Sequence, residues 1–431
     1  MDKIRVVWIC HFSNQRVRER LPLAAQGKTV GDLAPWITNL IEEFKHLPEV
    51  ELHVISPHPG LRAFSCSFDM EGVHYHFFKA DLPLIHRHLG HLFGLESRTG
   101  FLRNRLSVRC LLGRIKPELV NLIGAENAYY SSTVLGIKRI PVLISIQGIY
   151  SNPDRFKLQK KIWELYHYER KIHRENRYFG VSSSFMPELI KRDCTDPVLF
   201  WNRFPLKIVK LDEGSRCDKR HDFVFFARLT PVKGPDDALK ALALVKRDRP
   251  GVTMRMMGPP ASATSIENLK AQARELGIED NVEITGGYPL HEDLLREAAK
   301  ARFYLLPTKI DTIPGTIFEA IYLGLPVVSY ATGDIPLLNS GDTRVLLSER
   351  GDITSLAGHM TRLLDDPALG ESLAQKARSF VERWFDNRDI ARNFLNQYRA
   401  VIANFWDDEP IPPGLLYENY LESMKKGGLQ Q

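Results

Sequence analysis

Short apolar runs alternate with longer amphipathic stretches along most of the chain. In the first half, five runs are predicted to be strands: residues 4–10, 51–55, 119–123, 142–146 and 177–181. Between them, three stretches have apolar residues at helical spacing: residues 32–45, 97–114 and 154–174. Strands that are separated by helices predict parallel sheets with helices on both faces.

The same alternation restarts near residue 223, after the polar and charged stretch 207–221. Six further strands are predicted at residues 223–227, 253–257, 282–285, 302–306, 327–330 and 345–347, and two helices near the end at residues 372–384 and 388–405. A chain of 431 residues is too long for one hydrophobic core. The sequence therefore predicts two α/β domains, joined through the polar stretch.

Composition is that of an ordinary globular protein, with 44% hydrophobic and 26% charged residues. The five cysteines are scattered without paired spacing, which argues against a disulfide framework and against a Cys-rich zinc site. The apolar residues 4–10 are too few to span a bilayer, and no later run reaches that length. We expect a cytoplasmic protein.

One strand–loop–helix stretch carries candidate chemistry. The apolar residues 303–306 predict a buried strand, and the loop that follows contains Asp311. Glu319 comes eight residues later, about two turns into a predicted helix. Backbone N–H groups at a helix start can bind oxygen-rich ligands, and both acids could face one crevice. An ordinary crossover with two solvated acids is the alternative.

A second stretch places two cations between a strand and a helix. Arg228 follows the apolar residues 223–227, and Lys233 precedes Gly234 and the helical residues 235–246. Arg offers a planar fork of donors and Lys a mobile point charge, so the pair is a plausible pyrophosphate clamp.

Together these stretches resemble the retaining glycosyltransferases of the GT-B fold, family 4 type (glycosyl transferases group 1). That family carries Arg-x4-Lys-Gly after the first strand of its second domain, and an acid-x7-Glu loop about eighty residues later. The resemblance extends to these residues: Ala320, Gly324, Pro326, Val327, Val328, Gly333, Asp334, Ile335, Pro336 and Asn202. It covers most of residues 115–400 and is faint in residues 1–110.

The resemblance implies a GT-B architecture, in which two Rossmann-like, doubly wound parallel-sheet domains face each other across a cleft. Residues 1–205 would form an acceptor-binding domain, and residues 206–385 a nucleotide-sugar-binding domain. The C-terminal helix, about residues 386–431, would cross back onto the first domain. The implied activity is transfer of a sugar from a nucleotide sugar to an acceptor hydroxyl, with retention of anomeric configuration, in polysaccharide, glycolipid or other glycoconjugate biosynthesis.

Roles for individual residues also follow from the resemblance. Arg228 and Lys233 would hold the donor diphosphate, Glu319 the ribose hydroxyls and Asp311 the transferred sugar. Backbone N–H groups near Gly315 and Thr316 would add hydrogen bonds to phosphate or sugar. The sequence contains no Asp-x-Asp pair, so we expect no metal and no cofactor beyond a UDP- or GDP-linked donor.

Two departures from the family pattern suggest an alternative function. Many relatives have His-Gly where this chain has Gln147-Gly148, and Gln carries neither charge nor a transferable proton. Many have Glu where this chain has Leu337, whereas Asp311 in place of the commoner Glu is a mild change. The alternative is therefore a GT-B protein that has lost catalysis and serves as a binding or scaffold subunit. A dinucleotide oxidoreductase is disfavoured, because no Gly-x-Gly-x-x-Gly follows a predicted strand.

Two further candidates lie in the first half of the chain. Gly31, at a predicted helix start, could let backbone approach a phosphate, and a simple turn with Asp32 as N-cap is the alternative. His74 and His76 alternate on a predicted strand and could bind a metal. Because no acid or cysteine alternates with them along the strand, a surface strand and a polar loop explain them better.

Residues 98–116 are distinctly basic. A solvated helix face is one interpretation, and the other is contact with an anionic membrane surface, at the inner face, or with a lipid-linked acceptor. The formal net charge of +6 permits the second. A carbohydrate acceptor is equally open. Nucleic acid is not expected, because the basic residues are not interleaved with aromatic ones or set on a recognition motif.

Overall fold

The computed structural model describes residues 3–23, 34–58, 60–80, 99–149, 151, 163–206, 219–288, 290–384 and 386–425. The chain forms two compact units. The first unit comprises Met1–Pro205 together with Asn387–Ser423, and the second is built on Leu206–Asp386.

The first unit is organised around an eight-stranded sheet among its described residues, in the order β3-β4-β2-β1-β5-β6-β7-β8. All its neighbouring strands pair in parallel except β3 and β4, which are antiparallel. The strands are β1 (Ile4–Ile9), β2 (Val50–Pro57), β3 (Ser65–Met70), β4 (Val73–Phe78), β5 (Leu119–Ile123), β6 (Val142–Ser145), β7 (Tyr178–Val181) and β8 (Val198–Trp201).

The helices of the first unit come from both ends of the sequence. Those from its N-terminal part are α1 (Gln15–Arg20), α2 (Pro35–Phe44), α3 (Leu102–Ile115), α4 (Ala128–Ser131), α5 (Trp163–Glu175) and α6 (Met186–Lys191). Those from its C-terminal part are α13 (Asn387–Asp407) and α14 (Tyr417–Lys425).

Helix α13 completes the core of the first unit. Its Phe394 and Tyr398 rings pack against Phe44 of α2, at centroid distances of 6.4 and 6.0 Å. The buried Tyr398 hydroxyl lies 2.8 Å from Nδ2 of Asn121 on β5, so that polar group is hydrogen-bonded inside the core. The last long helix is therefore a structural part of the first unit.

The second unit contains a six-stranded parallel sheet in the order β11-β10-β9-β12-β13-β14. The strands are β9 (His221–Phe226), β10 (Met254–Met257), β11 (Val282–Thr285), β12 (Ala301–Leu306), β13 (Val327–Tyr330) and β14 (Leu346–Ser348). Its helices are α7 (Pro235–Asp248), α8 (Ser265–Glu275), α9 (His291–Ala298), α10 (Gly315–Tyr322), α11 (Ile353–Asp365) and α12 (Pro367–Trp384).

The structure confirms the two parallel α/β domains and corrects details of the first one. All six predicted strands of the second unit are present within two residues at each end. Strands β3, β4 and β8 are not among the strands that the apolar pattern predicts, and β4 was expected only as the strand that carries His74 and His76. β3 alternates exposed and half-buried residues, which gives no strong apolar signal, whereas the short apolar β8 was missed. Helix α1 forms in a stretch for which the pattern predicted neither a strand nor a helix, and Asn14 caps it by accepting from the Val17 N–H at 2.9 Å.

Candidate functional site

The two loops with candidate chemistry leave neighbouring strands of the second unit. β9 and β12 pair in parallel, so the segments after them emerge at the same edge of the sheet. The first segment carries Arg228 and leads through a 3₁₀ turn (Pro231–Lys233) into α7. The second carries Asp311 and leads into α10. Ligands of such sheets bind beyond the carboxyl ends of the strands.

Lys233 and Asp311 form an ion pair between these two loops. The Lys233 ammonium contacts Oδ2 of Asp311, and both side chains are about one-fifth exposed. Oδ1 of Asp311 accepts from the Thr312 N–H at 3.1 Å, which fixes the carboxylate. Arg228 follows the buried Ala227 and is exposed. The structure therefore brings a cation and an acid together that stand 78 residues apart.

The loops are also joined through their backbones. The Lys309 N–H donates to the Val232 carbonyl at 2.7 Å. Gly234 has a φ of +73°, and a Cβ at that position would lie 2.0 Å from the Pro307 carbonyl oxygen. Only glycine fits such a left-handed conformation against another backbone without strain. The Gly of Arg-x4-Lys-Gly is therefore the point of closest approach between the loops.

A third cation, Lys309, has a structural role here. Its ammonium lies 2.9 Å from Oδ2 of Asp236 and 3.2 Å from Oδ2 of Asp237, both in the first turn of α7. Burial opposes the charged form of Lys309, but the hydrogen bond that it donates to Asp236 and the charges of Asp236 and Asp237 outweigh burial and raise the pKa of Lys309. Lys309 is thus committed to holding its loop against α7.

Gly315 and Thr316 lie at the N-terminus of α10, as predicted from the sequence. No side chain caps this helix, and Gly315 is exposed. Oγ1 of Thr316 lies 2.8 Å from the Tyr304 hydroxyl, which is fully buried at the end of β12. Burial, followed by the charges of Glu319 and Asp311, raises the pKa of Tyr304. Both acids are therefore within electrostatic reach of one hydroxyl.

Glu319 makes a contact that the sequence did not indicate. Its Oε1 lies 2.7 Å from Nε2 of His291, the first residue of α9. Its Oε2 is buried and has no hydrogen-bond partner among the described residues. Nothing in the motifs singles out His291, since it lies 28 residues away and opens a different helix. A buried carboxylate oxygen without a donor is costly, and a ligand hydroxyl would satisfy it.

The loop of residues 333–336, which follows β13, packs beside Asp311. The Asp334 N–H donates to the Thr312 carbonyl at 3.2 Å. Leu337, where many relatives have Glu, is half-buried in the following 3₁₀ helix, Ile335–Asn339. The loop thus contributes backbone to this site and offers no carboxylate at position 337.

In the first unit, a separate polar group lies at the carboxyl ends of β1, β5 and β6, which are neighbours in the sheet. Gln147 follows β6, and its Nε2 is buried without a hydrogen-bond partner among the described residues. His11 follows β1, and its Nδ1 lies 2.5 Å from the Tyr129 hydroxyl. Burial lowers the pKa of His11. Sequence patterns missed His11 and Tyr129, and Gly31 lies outside the described residues.

The interpretation of His74 and His76 as a strand without nearby acids is wrong. Both lie on β4, and Nδ1 of His74 is 2.6 Å from Oδ1 of Asp69 on the antiparallel strand β3. His53, on the neighbouring β2, lies 2.9 Å from Oε1 of Glu51. Burial lowers the pKa of His53, and it lowers that of His76 to about 4. Pairing with β3 brings Asp69, five residues before His74 in the chain, beside that histidine, and Glu51 stands beside His53 on β2 itself.

The basic segment forms α3 and the residue after it. Arg105 and Arg109 both donate to the Leu135 carbonyl at 3.1 Å, so two of its cations support the local fold. Leu102 and Leu106 are more than half exposed on the same helix. Within the described part of the chain, no helix combines the length and the apolar character that crossing a bilayer requires.

Comparison with solved structures identifies the fold. Sucrose-phosphate synthase from Thermosynechococcus elongatus superimposes with a TM-score of 0.72 at 15% identity, over 93% of this chain and 100% of that one. HepE from Anabaena, solved with UDP and glucose, superimposes with a TM-score of 0.63 at 17% identity, over 92% and 100%. The chain has the GT-B fold of glycosyltransferases.

Sequence comparison matches most of the second unit to a family model. Residues 211–380 match the family model for glycosyl transferases group 1, which confirms the resemblance over that part of the chain. A D-inositol 3-phosphate glycosyltransferase of Segniliparus rotundus is 33% identical over 179 residues, which are 41% of this chain and 39% of that protein.

Two other curated relatives are an exopolysaccharide phosphotransferase of Streptomyces coelicolor and a glycogen synthase of Mycobacterium tuberculosis. The first is 32% identical over 160 residues, which are 36% of this chain and 16% of that protein. The second is 28% identical over 193 residues, which are 44% and 45%. The matches thus span less than half the length of these relatives.

Proposed function

We propose that this protein is a retaining glycosyltransferase that moves a sugar from a nucleotide sugar to an acceptor hydroxyl in the biosynthesis of a polysaccharide, glycolipid or other glycoconjugate. The observation that carries the proposal is the carboxylate of Glu319 in α10, whose Oε2 is buried without a partner among the described residues, while the loop after the neighbouring strand β9 carries both Arg228 and Lys233. A nucleoside diphosphate offers both a hydroxyl donor for that oxygen and anionic oxygens for the cations.

The Lys233–Asp311 pair supports the division of roles on the donor. In a nucleotide sugar, the distal phosphate and the transferred sugar share one oxygen atom, so the groups that bind them must also lie side by side. Lys233 and Asp311 are in direct contact, as a phosphate ligand and a sugar ligand would have to be. We assign Arg228 and Lys233 to the diphosphate, Asp311 to sugar hydroxyls and Glu319 to the ribose.

The proposed chemistry needs no metal. Departure of the nucleoside diphosphate builds negative charge on phosphate oxygens, and two cations with the uncapped N-terminus of α10 stabilise that charge. N–H groups of Gly315 and Thr316 provide that terminus. Retention would follow from attack on the same face that the leaving group departs from, with the phosphate assisting removal of the acceptor proton. We assign Gln147 to orienting a hydroxyl through its amide, whose Nε2 has no hydrogen-bond partner among the described residues, and it cannot act as a base.

The experiment is a two-stage assay on the full chain. First, the shift of thermal unfolding with UDP, GDP and ADP selects the nucleotide, because a ligand that binds only the folded state stabilises it. Second, a panel of sugars on that nucleotide is scored for release of nucleoside diphosphate, with and without a chelator. We expect one donor class to be hydrolysed or transferred, at a rate that the chelator does not change.

The product and one variant complete the test. NMR of the new glycosidic bond should show the donor's anomeric configuration, and Gln147→His should not be required for activity. An inverted product would contradict the mechanism, and complete loss of turnover on chelation would contradict metal independence. Absence of any nucleotide-dependent shift would contradict the donor site itself.

We propose further that α3 brings the protein to an anionic membrane surface that carries a lipid-linked acceptor. The support is that α3 has four arginines and no acid, while Leu102 and Leu106 are exposed on it. Co-sedimentation with vesicles of phosphatidylglycerol and phosphatidylcholine tests this. Binding should fall with salt and with Leu106→Ser, and equal binding to purely zwitterionic vesicles would contradict it.

A further inference from the structure

Two strands of the first unit place three metal-binding side chains on one face of the sheet. Glu51 and His53 alternate on β2 and therefore share a face. His53 stands opposite His74 in the parallel β2–β4 register, and their rings stack at a centroid distance of 4.5 Å. One ligand atom from each of these three side chains lies within 4.8 Å of the others.

Asp69 orients His74 for a ligand role. The distance of 2.6 Å from Asp69 Oδ1 to His74 Nδ1 fits a carboxylate accepting from the ring N–H. That tautomer leaves the lone pair on Nε2 of His74. A carboxylate that fixes the distal nitrogen of a histidine in this way is the usual outer partner of a metal-bound imidazole.

A hydrogen-bonded chain orients His53 in the same manner. Nδ1 of His53 lies 3.0 Å from Nε2 of His76, whose Nδ1 lies 2.9 Å from the Ser67 hydroxyl. If His53 donates from Nδ1 along this chain, its Nε2 is a lone pair facing Oε1 of Glu51 at 2.9 Å. Two acceptors at that distance need a proton or a cation between them. Arg5 donates to both oxygens of the same carboxylate, to Oε1 at 2.9 Å and to Oε2 at 3.1 Å, and holds it in place.

We infer that Glu51, His53 and His74 form a binding site for a divalent zinc ion that bridges strands β2 and β4. Two imidazoles and one carboxylate are a ligand set that zinc takes, with a fourth position left for water. Tetrahedral ligands at zinc distances are about 3.4 Å apart, so the three donors need only small side-chain shifts. The side chains of His74 and Glu51 are 34% and 28% exposed, which gives an ion access.

This site is separate from the donor loops, which belong to the second unit, and it does not depend on the proposed sugar transfer. We therefore expect a bound ion to stabilise the β2–β4 edge and to leave turnover unchanged. Any loss of zinc binding in the variants below would then be measured on a protein whose transferase activity remains intact.

The test uses full-length protein without a histidine tag, stripped with a chelator and dialysed. Zinc titration against a chromophoric competitor should give one equivalent per chain, and Co²⁺ should give the visible absorption bands of a tetrahedral site. Glu51→Gln and His74→Gln should each weaken zinc binding by more than 100-fold, whereas His76→Gln, in the outer shell, should cost about 10- to 100-fold. Thermal unfolding in the absence of metal checks that each variant is folded.

Two controls separate this site from other histidines. His46→Gln, an exposed residue of the same unit, should bind zinc as the parent does. His86, His88 and His91 lie outside the described residues, and their triple change to Gln should also keep one equivalent. Three outcomes would each overturn the inference. They are loss of zinc binding in that triple variant, parent-like zinc affinity in Glu51→Gln and His74→Gln, and failure of the parent protein to bind zinc.

Discussion

The two units share a parallel α/β architecture but place their chemically active side chains in different ways. In the second unit, cations and acids lie on two neighbouring loops, and Lys233 of one loop pairs with Asp311 of the other. In the first unit, polar side chains are distributed through the sheet: Asn121 lies in the core and His53 on one face. Side chains on the loops after strands and side chains within the strands therefore serve different purposes.

The difference explains which unit can be recognised from sequence. The spacings within each loop of the second unit are five and eight residues, so the motifs can be seen locally. In the first unit, Asn121 and Tyr398 are 277 residues apart, and their contact depends on the complete fold. Residues that bind a common group stay close in sequence, whereas residues that stabilise one particular core need not.

The largest effect should come from the interior of the first unit. A Cβ on Gly180 would lie 1.9 Å from Nδ2 of Asn202, which donates to Oγ of Ser145 at 3.1 Å. Gly180→Ala should therefore lower the free energy of unfolding by about 3 kcal/mol, through overpacking and a broken buried hydrogen bond. Urea denaturation measures this.

The matched control for that change is Gly113→Ala in α3, where a Cβ meets nothing within 4 Å. It should leave stability unchanged or raise it slightly, because alanine favours a helix over glycine. The affinity of folded Gly180→Ala for nucleoside diphosphate should equal that of the parent. A lower nucleotide affinity of folded Gly180→Ala would show that a change inside the first unit also affects the second.

A somewhat smaller effect should follow in the second unit from removing a cation. Arg228→Ala or Lys233→Ala should weaken nucleoside diphosphate binding about ten- to hundredfold, since a hydrogen bond to a charged group contributes about 1.5–3 kcal/mol. Calorimetric titration measures it, with unchanged unfolding curves. Arg247→Ala, an exposed cation at the end of α7, is the control. Unaltered binding by both clamp variants would refute the assignment.

The two acids should differ from each other in what they affect. Glu319→Gln should weaken plain nucleoside diphosphate about tenfold and also lower turnover, because the ribose is common to donor and product. Asp311→Asn should mainly lower turnover with the sugar donor. It should weaken the plain diphosphate little, because loss of the Asp311 charge frees Lys233 for phosphate. Titrations with diphosphate alone, beside kcat with the donor, separate the two. Equal weakening of the diphosphate by both changes would mean that the roles are wrongly assigned.

The smallest effect concerns pH and the first unit. His173 is fully buried with neither ring nitrogen hydrogen-bonded among the described residues, and burial lowers its pKa to about 4. Because the folded pKa lies below the unfolded value, stability falls as pH drops below about 6.5, by about 1 kcal/mol at pH 5.5. His173→Leu should reduce this acid sensitivity and the exposed His46→Gln should not, as urea denaturation at two pH values would show.

The sequence predicted the second unit almost completely because its signals are local. Most of its six strands are rich in apolar residues, and its loops match a family pattern, so the strands and the candidate residues could be located. The strand order and the contact of Lys233 with Asp311 were not predicted, and the roles of these residues remain predictions. His291 could not be predicted, because its contact with Glu319 joins the start of α9 to the middle of α10.

The first unit was predicted less well for the opposite reason. Several of its polar contacts, such as those of Asp69 with His74 and of His53 with His76, run across strands, and the antiparallel β3, which supplies Asp69, has no strong apolar pattern. A pattern read along one strand shows His74 and His76 but cannot show what stands beside them. The pairing register, which depends on the folded sheet, is the missing information.

The position of α13 in the first unit has a consequence for synthesis of the chain. Leu206–Asp386 is one continuous stretch, so the second unit can fold as soon as it has left the ribosome. The first unit begins earlier but lacks Phe394 and Tyr398 until residues 387–407 emerge, and until then part of its apolar surface is uncovered. The unit that is translated first is therefore completed last, and the nascent chain depends on protection from aggregation during the interval.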